Sequence, residues 1–204
     1  MIRYYLAKFK LLIKSEAFRN KPFTVLSRSL ILFFSLVFKV KIRYSVNFKS
    51  SKFRYTFKPY LKSGLGGRGQ FIFREYYEPF LNFGHEIFDK KFNFIDVGCS
   101  RGFFSMYLLS LKNFRSNGLC IDPLKGALDD FVEIKKINKI NRAKIIHGAI
   151  SNISKKKIEI FRANDLHGYY SIIKDIDFVD KRISNKFKIN SYTIDELIFE
   201  KKKL

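Results

Sequence analysis

A chain of 204 residues with 47% hydrophobic residues is long and apolar enough to fold around a core, which excludes an intrinsically disordered protein. Two cysteines are too few for a disulfide framework, and a reducing compartment is therefore expected. The formal net charge of +22 is unevenly spread, because residues 1–74 hold 17 Lys and Arg against one acid, Glu16, whereas the remainder holds 23 against 17.

The basic N-terminal segment, residues 1–40, is predicted to be helical. Ile2, Tyr5 and Phe9 recur at helical spacing, and Pro22 is a suitable first residue for a second helix. Only ten residues separate Arg28 from Lys39 in that helix, against the ~20 needed to span a bilayer. Two interpretations stay open, namely a helix packed on the core and a basic, aromatic helix in a membrane interface.

The N-terminus has no small-residue cleavage site after a clean apolar run, so a secretory signal is not expected. We expect a cytoplasmic protein. Peripheral contact with an anionic membrane, made through the basic N-terminal third, is the accompanying partner hypothesis.

Residues 41–74 are predicted to form a β-hairpin followed by a loop. Apolar side chains alternate along 41–48 and 52–57, and the residues between them are typical of a turn. The glycine-rich SGLGGRGQ has no following Lys and Ser or Thr, so it is not a P-loop, and its glycines are predicted to serve turns. The next stretch, QFIFREYYEPFLNFGHEIF, is predicted to form a short strand and then a helix near Pro79.

Residues 75–204 are predicted to form an α/β domain with a β-α-β-α-β order, typical of a parallel, Rossmann-like sheet covered by helices. The predicted elements are strands 92–97, 119–122 and 144–150 and helices 103–111 and 125–138. Further strands are predicted at 157–161 and 186–192. Thr193 and Glu196 have the spacing of a capping box that opens a last short helix.

A glycine turn with a carboxylate follows the first of these strands, in the stretch FIDVGCSRGFFS. Asp96, Gly98 and Gly102 lie at the carboxyl end of the strand, where ligands of open α/β sheets bind. Asp122 ends the next strand, at the separation typical of an acid that accepts hydrogen bonds from ribose hydroxyls. The alternative is structural: the glycines allow close packing, and Asp122 caps the following helix.

The charge of the turn favours one nucleoside ligand over two others. A dinucleotide is expected to need a glycine where Ser100 stands, and a nucleoside triphosphate needs a lysine and a metal-binding hydroxyl. Asp96 and Asp122 add negative charge, which only Arg101 offsets nearby. S-adenosylmethionine has no phosphate and carries an ammonium and a sulfonium, so the sequence favours this methyl donor as the cofactor.

The ordered motifs FIDVGCSRGFFS, GLCIDP, KIIHGAIS and YTIDELI, preceded by REYYEPFL, resemble the FkbM-type family of class I S-adenosylmethionine-dependent methyltransferases. The resemblance covers roughly residues 71–198, although many class I methyltransferases share the glycine turn alone. It implies O-methylation of a hydroxyl on a glycan or small metabolite. The candidate cofactor-binding residues are Asp96, Gly98 and Gly102 at the methionine end, Ser100 within the turn, Asp122 at the ribose, and Ala149 and Ile150 near the adenine.

The chain departs from the family pattern in three places. Cys99-Ser100 stands where the family often has Ala-Asn, and Ile121-Asp122-Pro123 stands where it often has Phe-Glu-Pro. The sequence ends at FEKKKL, where the family continues with further strands. We therefore expect an incomplete sheet in which the strand FIDV, although apolar enough for burial on both faces, lies at an edge. Such a chain is expected to be poorly active alone and prone to associate.

Other chemically reactive side chains show weaker patterns. Cys99 has no placed histidine beside it and is predicted to fill the turn rather than act as a nucleophile. The three histidines show no metal-ligand spacing, so no metal site is predicted; they are His85, His147 and His167. The segment Tyr76-Tyr77-Glu78 either closes over the cofactor or packs at a helix start.

A second class of function stays open, in which the chain is a non-catalytic fragment or a basic binding module on anionic membrane or RNA. The amino-methylating signature, Asn or Asp followed by two prolines and an aromatic residue, is absent from the sequence. Its absence removes the commonest base-modifying activity and leaves hydroxyl methylation. Nucleic acid is therefore the less favoured partner.

Overall fold

The computed structural model describes residues 12–59, 67–88, 92–111, 117–153, 156–163, 170–171 and 183–200. The protein is a mixed α/β structure in which a parallel three-stranded sheet and its helices are compatible with a Rossmann-like fragment. Within these residues, no helix combines the length and the apolarity needed to cross a membrane. Most of the predicted helix over the first residues lies outside the described part of the chain.

Two helices open the described chain. Helix α1 (Glu16–Asn20) is capped by Ser15, whose hydroxyl accepts a hydrogen bond from the Phe18 amide. Helix α2 (Pro22–Phe38) begins with Pro22, as predicted, because a missing N–H costs nothing in the first turn. Lys39 ends α2 in the left-handed conformation, and the chain turns into the hairpin.

The predicted hairpin is confirmed as strands β1 (Ile42–Asn47) and β2 (Lys52–Phe57), paired antiparallel with Ile42 opposite Phe57. The alternation buries one row of aromatic side chains, which packs on the ring of Phe103. Tyr55 donates a hydrogen bond to the Arg101 carbonyl at 2.9 Å. The hairpin therefore forms a wall behind the segment that carries the glycine turn.

The predictions for the end of the glycine-rich stretch and for the strand after it are wrong. Turns and then a strand were expected there, but Gly67 and Gly69 belong to helix α3 (Gly67–Phe73). This helix is followed by 3-10 turns at Arg74–Tyr76 and Pro79–Asn82 and by the one-turn helix α4 (Gly84–Ile87). The apolar residues two apart indicated a strand. The buried pair is instead Gly67 and Phe71, four residues apart, which is the helical spacing.

The parallel sheet has the order β3-β4-β5, formed by Phe94–Val97, Gly118–Asp122 and Ala143–His147. Helices α5 (Phe103–Leu109) and α6 (Lys125–Ile137) connect the strands. All five residues of β4 are buried, as expected of a central parallel strand. Within the described residues β3 pairs with β4 alone, so it lies at the predicted edge. Its residues are only partly buried and Val97 is 54% exposed, so burial on both faces is not observed.

The predicted strand 144–150 is interrupted at Gly148. Its last two residues form a separate strand, β6 (Ala149–Ile150), which leaves the first sheet and pairs parallel with β9 (Ile183–Tyr192). Strands β7 (Lys157–Ala163) and β8 (Tyr170–Ser171) complete a second sheet of order β6-β9-β7-β8.

The strand predictions at 157–161 and 186–192 are confirmed as the cores of β7 and β9, which pair antiparallel. The predicted capping box is present in part. The Thr193 hydroxyl accepts a hydrogen bond from the Glu196 amide at 3.2 Å, at the start of helix α7 (Ile194–Glu200).

Candidate functional site

The glycine turn lies between β3 and α5, at the carboxyl end of the parallel sheet. Gly98, Ser100 and Gly102 all have positive φ, at 77°, 48° and 72°. The turn is held to β4, because the amides of Gly98 and Cys99 both donate to the Ile121 carbonyl, at 2.8 and 3.2 Å. The alternation of left-handed residues explains why glycine occupies two of these three positions.

The two glycines have different surroundings. An added Cβ at Gly102 would overlap the ring of Phe131, so this glycine permits α6 to pack closely on the turn. Among the described residues, no atom lies within 4 Å of an added Cβ at Gly98, so this part of the chain leaves the backbone there open to an approaching ligand. The packing and ligand-approach interpretations of the motif thus apply to different glycines.

Asp122 is the last residue of β4, and its side chain forms hydrogen bonds that hold the turn in place. Its carboxylate accepts hydrogen bonds from the Ser100 amide and from the Leu124 amide, both at 2.8 Å, and the side chain is only 5% exposed. Burial raises the pKa of Asp122, and the two amides oppose that rise. The Asp122 carboxylate therefore stabilises both the left-handed Ser100 and the backbone at Leu124, immediately before α6. Each carboxylate oxygen retains a second lone pair that could accept a hydrogen bond from a ligand hydroxyl.

Asp96 faces the first turn of α5 from the middle of β3. Its carboxylate accepts a hydrogen bond from the Ser105 hydroxyl, at the level where Asp96 lies opposite Cys120 in the register. Burial raises the pKa of Asp96, the Ser105 hydrogen bond lowers it, and the negative charge of Asp122 raises it further. The two carboxylates predicted to meet at this edge of the sheet therefore act on each other electrostatically.

Glu78 adds a third carboxylate to this group. Burial raises the pKa of Glu78, and the negative charge of Asp96 raises it further. The adjoining Tyr77 ring packs edge-on against Phe103, with ring centroids 5.7 Å apart. The Tyr76-Tyr77-Glu78 segment thus lies beside the glycine turn. The sequence left open whether this segment closes over the cofactor or packs at a helix start, and Glu78 was not among the candidate cofactor-binding residues.

Arg101 does not offset the charge of the site, contrary to the expectation from its position in the turn. Its guanidinium is buried in the other direction, against Asp130 of α6, with Arg101 Nε 3.0 Å from Asp130 Oδ2. It also donates to the Thr56 carbonyl of β2. Lys58 completes the network, 2.6 Å from Asp130 and 2.7 Å from Glu133. The network links the hairpin, the glycine turn and α6, and it leaves the site acidic.

The two cysteines lie together beneath the turn as buried free thiols. A hydrogen bond with Cys120 and burial raise the pKa of Cys99 far above its ordinary range. Cys120 in turn lies 3.2 Å from the Ser105 hydroxyl. A thiol with a raised pKa is a poor nucleophile, which supports the packing interpretation of Cys99.

The structure places Ala149 and Ile150 in β6, immediately past the end of the parallel sheet. The Gly148 amide donates to the Asp122 carbonyl at 3.1 Å, so the chain beside Ala149 contacts the end of β4. Ala149 is buried, and Ile150 is half-buried beside Leu119 and Ile121. These residues lie next to the Asp122 end of β4, and their role at the adenine stays a prediction.

The histidines contribute no metal site within the described residues, where no group of three His, Cys, Asp or Glu side chains could hold an ion. His147 lies 3.0 Å from the Pro123 carbonyl through Nε2. His85 belongs to α4, and His167 lies outside the described residues.

The chain matches no family model and no curated protein.

Proposed function

We propose that the protein is an S-adenosylmethionine-dependent methyltransferase, similar to the FkbM type, that methylates a hydroxyl of a glycan or small metabolite. The observation that carries the proposal is the pair of carboxylates on adjacent strands, Asp96 of β3 and Asp122 of β4, beside a glycine turn that is open at Gly98 among the described residues. The segment that carries Glu78 packs next to the same turn through the Tyr77 ring. Such a site suits a nucleoside ligand that is cationic and has no phosphate.

The acidity of the site argues against the competing nucleoside ligands. A dinucleotide or a nucleoside triphosphate would bring phosphates to a turn whose own cation, Arg101, is buried against Asp130. Backbone amides at the turn are also committed, since Gly98 and Cys99 donate to Ile121 and Ser100 donates to Asp122. Phosphate binding at a glycine turn depends on free amides and positive charge, and this turn presents neither among those groups.

The residues present fit the methyl donor as follows. Asp96 and Glu78 would hold the ammonium and sulfonium end, Asp122 would accept from ribose hydroxyls, and Ala149 and Ile150 would flank the adenine. When bound, the cofactor supplies an electrophilic methyl group. The contribution of this chain is to position that group and to stabilise its positive charge through partly desolvated carboxylates.

Isothermal titration calorimetry on the full chain tests the proposal directly. We expect S-adenosylmethionine and S-adenosylhomocysteine to bind, and ATP and NAD to bind at least about tenfold more weakly, because their phosphates face carboxylates. Binding of ATP or NAD with equal or higher affinity would contradict the assignment. An absence of binding by all four ligands would favour the non-catalytic binding module.

Replacement of Asp122 by asparagine is expected to weaken S-adenosylmethionine binding by about 10-fold to 100-fold. A hydrogen bond to a charged group contributes about 1.5–3 kcal/mol, and the substitution removes the charge while it keeps the shape of the side chain. Affinity is measured by calorimetry, and thermal melting without ligand checks that the turn survives. Asp129→Asn is the matched control, since Asp129 is an exposed residue of α6, and its affinity should be unchanged. A folded Asp122→Asn protein with wild-type affinity would refute the ribose assignment.

Acidification is expected to weaken S-adenosylmethionine binding at a higher pH than ordinary carboxyl groups would allow. Burial raises the pKa of Glu78, Asp96 and Asp122, so these groups lose their charge early as the pH falls. Their effect on stability has the opposite sign. A carboxyl with a raised folded-state pKa disfavours folding above that pKa, and the penalty disappears as the pH falls to the unfolded-state value.

Calorimetric titrations and thermal melts over the same pH series measure both effects. S-adenosylhomocysteine is the control ligand, because it lacks the sulfonium charge, and its affinity should fall less. An S-adenosylmethionine affinity that stays constant through the mildly acidic range would contradict the role of the three carboxyls.

A further inference from the structure

Helix α2 presents its more apolar face to solvent. Seven of its large apolar side chains are 48–86% exposed, and they are Phe23, Leu30, Ile31, Phe33, Phe34, Val37 and Phe38. The buried side of the same helix consists of Val25, Leu32 and Ser35. Amphipathic helices of water-soluble domains show the reverse arrangement, with the polar face outward. A contiguous exposed apolar surface of this kind marks an interaction site.

The exposed face carries no charge. Arg28 is the only charged residue of α2, and it is turned towards the protein, where its guanidinium donates to the Ile72 carbonyl of α3 at 3.0 Å. Burial lowers the pKa of Arg28, in agreement with this inward orientation. A surface helix that removes its only cation from the exposed side is suited to an apolar medium.

Basic residues flank the apolar face at both ends. Lys14, Arg19 and Lys21 precede it and Lys39 follows it, all of them exposed. The sequence holds no Asp or Glu between Glu16 and Glu75. Lysine and arginine at the ends of an apolar helix reach the headgroup level of a bilayer, and they attract anionic lipids.

From this arrangement we propose that α2 is a membrane-docking helix, which lies in the plane of an anionic bilayer with its exposed apolar face in the acyl boundary. The helix has 17 residues, and its other face is fixed to α3, so it cannot leave the protein to cross the bilayer without breaking that packing. An in-plane helix with an apolar face and basic ends is the arrangement typical of interfacial anchors. The proposal is independent of the methyltransferase assignment.

Vesicle flotation of the full chain tests the proposal, with phosphatidylcholine vesicles prepared with and without phosphatidylglycerol. Wild-type protein is expected to float with the anionic vesicles, and less with neutral ones, and the bound fraction should fall as salt is raised. The variant Leu30→Gln/Phe34→Gln/Val37→Gln should lose binding by at least about tenfold, because each apolar side chain contributes to burial in hydrocarbon.

A matched control carries three glutamines at exposed apolar positions outside α2, namely Val132, Ile153 and Ile194. It should float like the wild type. Lys39→Gln should reduce binding to anionic vesicles by about fivefold and leave binding to neutral vesicles unchanged. All substituted side chains are exposed, so thermal melting is expected to show folded proteins throughout.

Four results would overturn the proposal. The first is an α2 variant that floats as well as the matched control, and the second is wild-type protein that remains with the unbound fraction on both kinds of vesicle. Sedimentation that shows a wild-type dimer, lost in the α2 variant and insensitive to vesicles, would assign the face to a second copy of the chain. Salt-sensitive retention on RNA without flotation would assign the basic segment to nucleic acid.

Discussion

Replacing Asp130 by alanine is expected to destabilise the protein by about 3–5 kcal/mol, the range observed when one partner of a buried ion pair is removed. Asp130 is 2% exposed and Arg101 is 4% exposed, so the substitution leaves a buried guanidinium without its carboxylate. Lys58 also loses a contact of 2.6 Å. The loss should appear as a lower denaturant midpoint in chemical unfolding followed by circular dichroism.

The neighbouring residue is a matched control for this substitution. Asp129 pairs with Lys125 at 2.9 Å, but the two side chains are 61% and 70% exposed. Asp129→Ala should therefore cost no more than about 0.5 kcal/mol. Equal losses for the two variants would show that the Arg101 network contributes no more than a surface pair. Asp130→Asn removes the charge and keeps the shape of the side chain, so its loss of stability should lie between those of Asp130→Ala and Asp129→Ala.

Substitution of Gly102 by alanine is expected to cost about 2–5 kcal/mol of stability, from left-handed strain of about 1–2 kcal/mol and overpacking of about 1–3 kcal/mol. The added methyl group would overlap the ring of Phe131, which is fully buried and has little room to move. The retreat of that ring would also separate α6 from the turn.

Gly98→Ala separates the two contributions to this cost. Gly98 has almost the same φ as Gly102, 77° against 72°, but no atom of the residues that the structure describes lies within 4 Å of an added Cβ. Its loss of stability should thus be limited to the strain, about 1–2 kcal/mol. The effect on ligand affinity should have the opposite order. Among variants that remain folded, Gly98→Ala should weaken S-adenosylmethionine binding more than Gly102→Ala does. If both alanines destabilise equally, the close packing at Gly102 has no measurable role.

Much of the parallel sheet was predictable, because its signals are local. FIDV and GLCID are short apolar runs that end in turn residues, and a helical pattern lies between them. Two strands joined by a helix in this way are expected to lie side by side and parallel in one sheet. The burial of β4 between two parallel strands agrees with that order, whereas the edge position of β3 was expected from the departure from the family pattern. The degree of exposure at Val97 does not, because it depends on what packs outside the edge.

The failed predictions involve residues whose environment is set by distant parts of the chain. The helix Gly67–Phe73 replaces a predicted strand because Gly67 and Phe71 pack against the hairpin and Arg101, partners that no local pattern shows. The break at Gly148 arises because the following residues pair with β9. In both cases tertiary contacts override the local periodicity.

The sequence predicted the two carboxylates that lie at adjacent strand ends, but it did not predict the charge balance around them. Asp96 and Asp122 were expected at adjacent strand ends, and the register brings them there. Arg101 was expected to compensate them, but its burial against Asp130 depends on a residue 29 positions later in the sequence. Glu78 approaches from a segment whose structure was only half predicted, so its charge could not be assigned to the site from spacing alone.

The switch of sheet at Gly148 separates the candidate site into two topological parts. Strands β3, β4 and β5 are consecutive in the chain, so each of their pairings closes a comparatively short loop. Strand β6 pairs with β9, which follows β7 and β8 in the sequence, so this pairing closes a longer loop of the chain. Loop-closure entropy rises with sequence separation, and contacts of high contact order slow folding. The turn with Asp96 and Asp122 thus depends on contacts between strands that are close in the sequence. The placement of Ala149 and Ile150 depends instead on the long-range pairing of β6 with β9 in the second sheet.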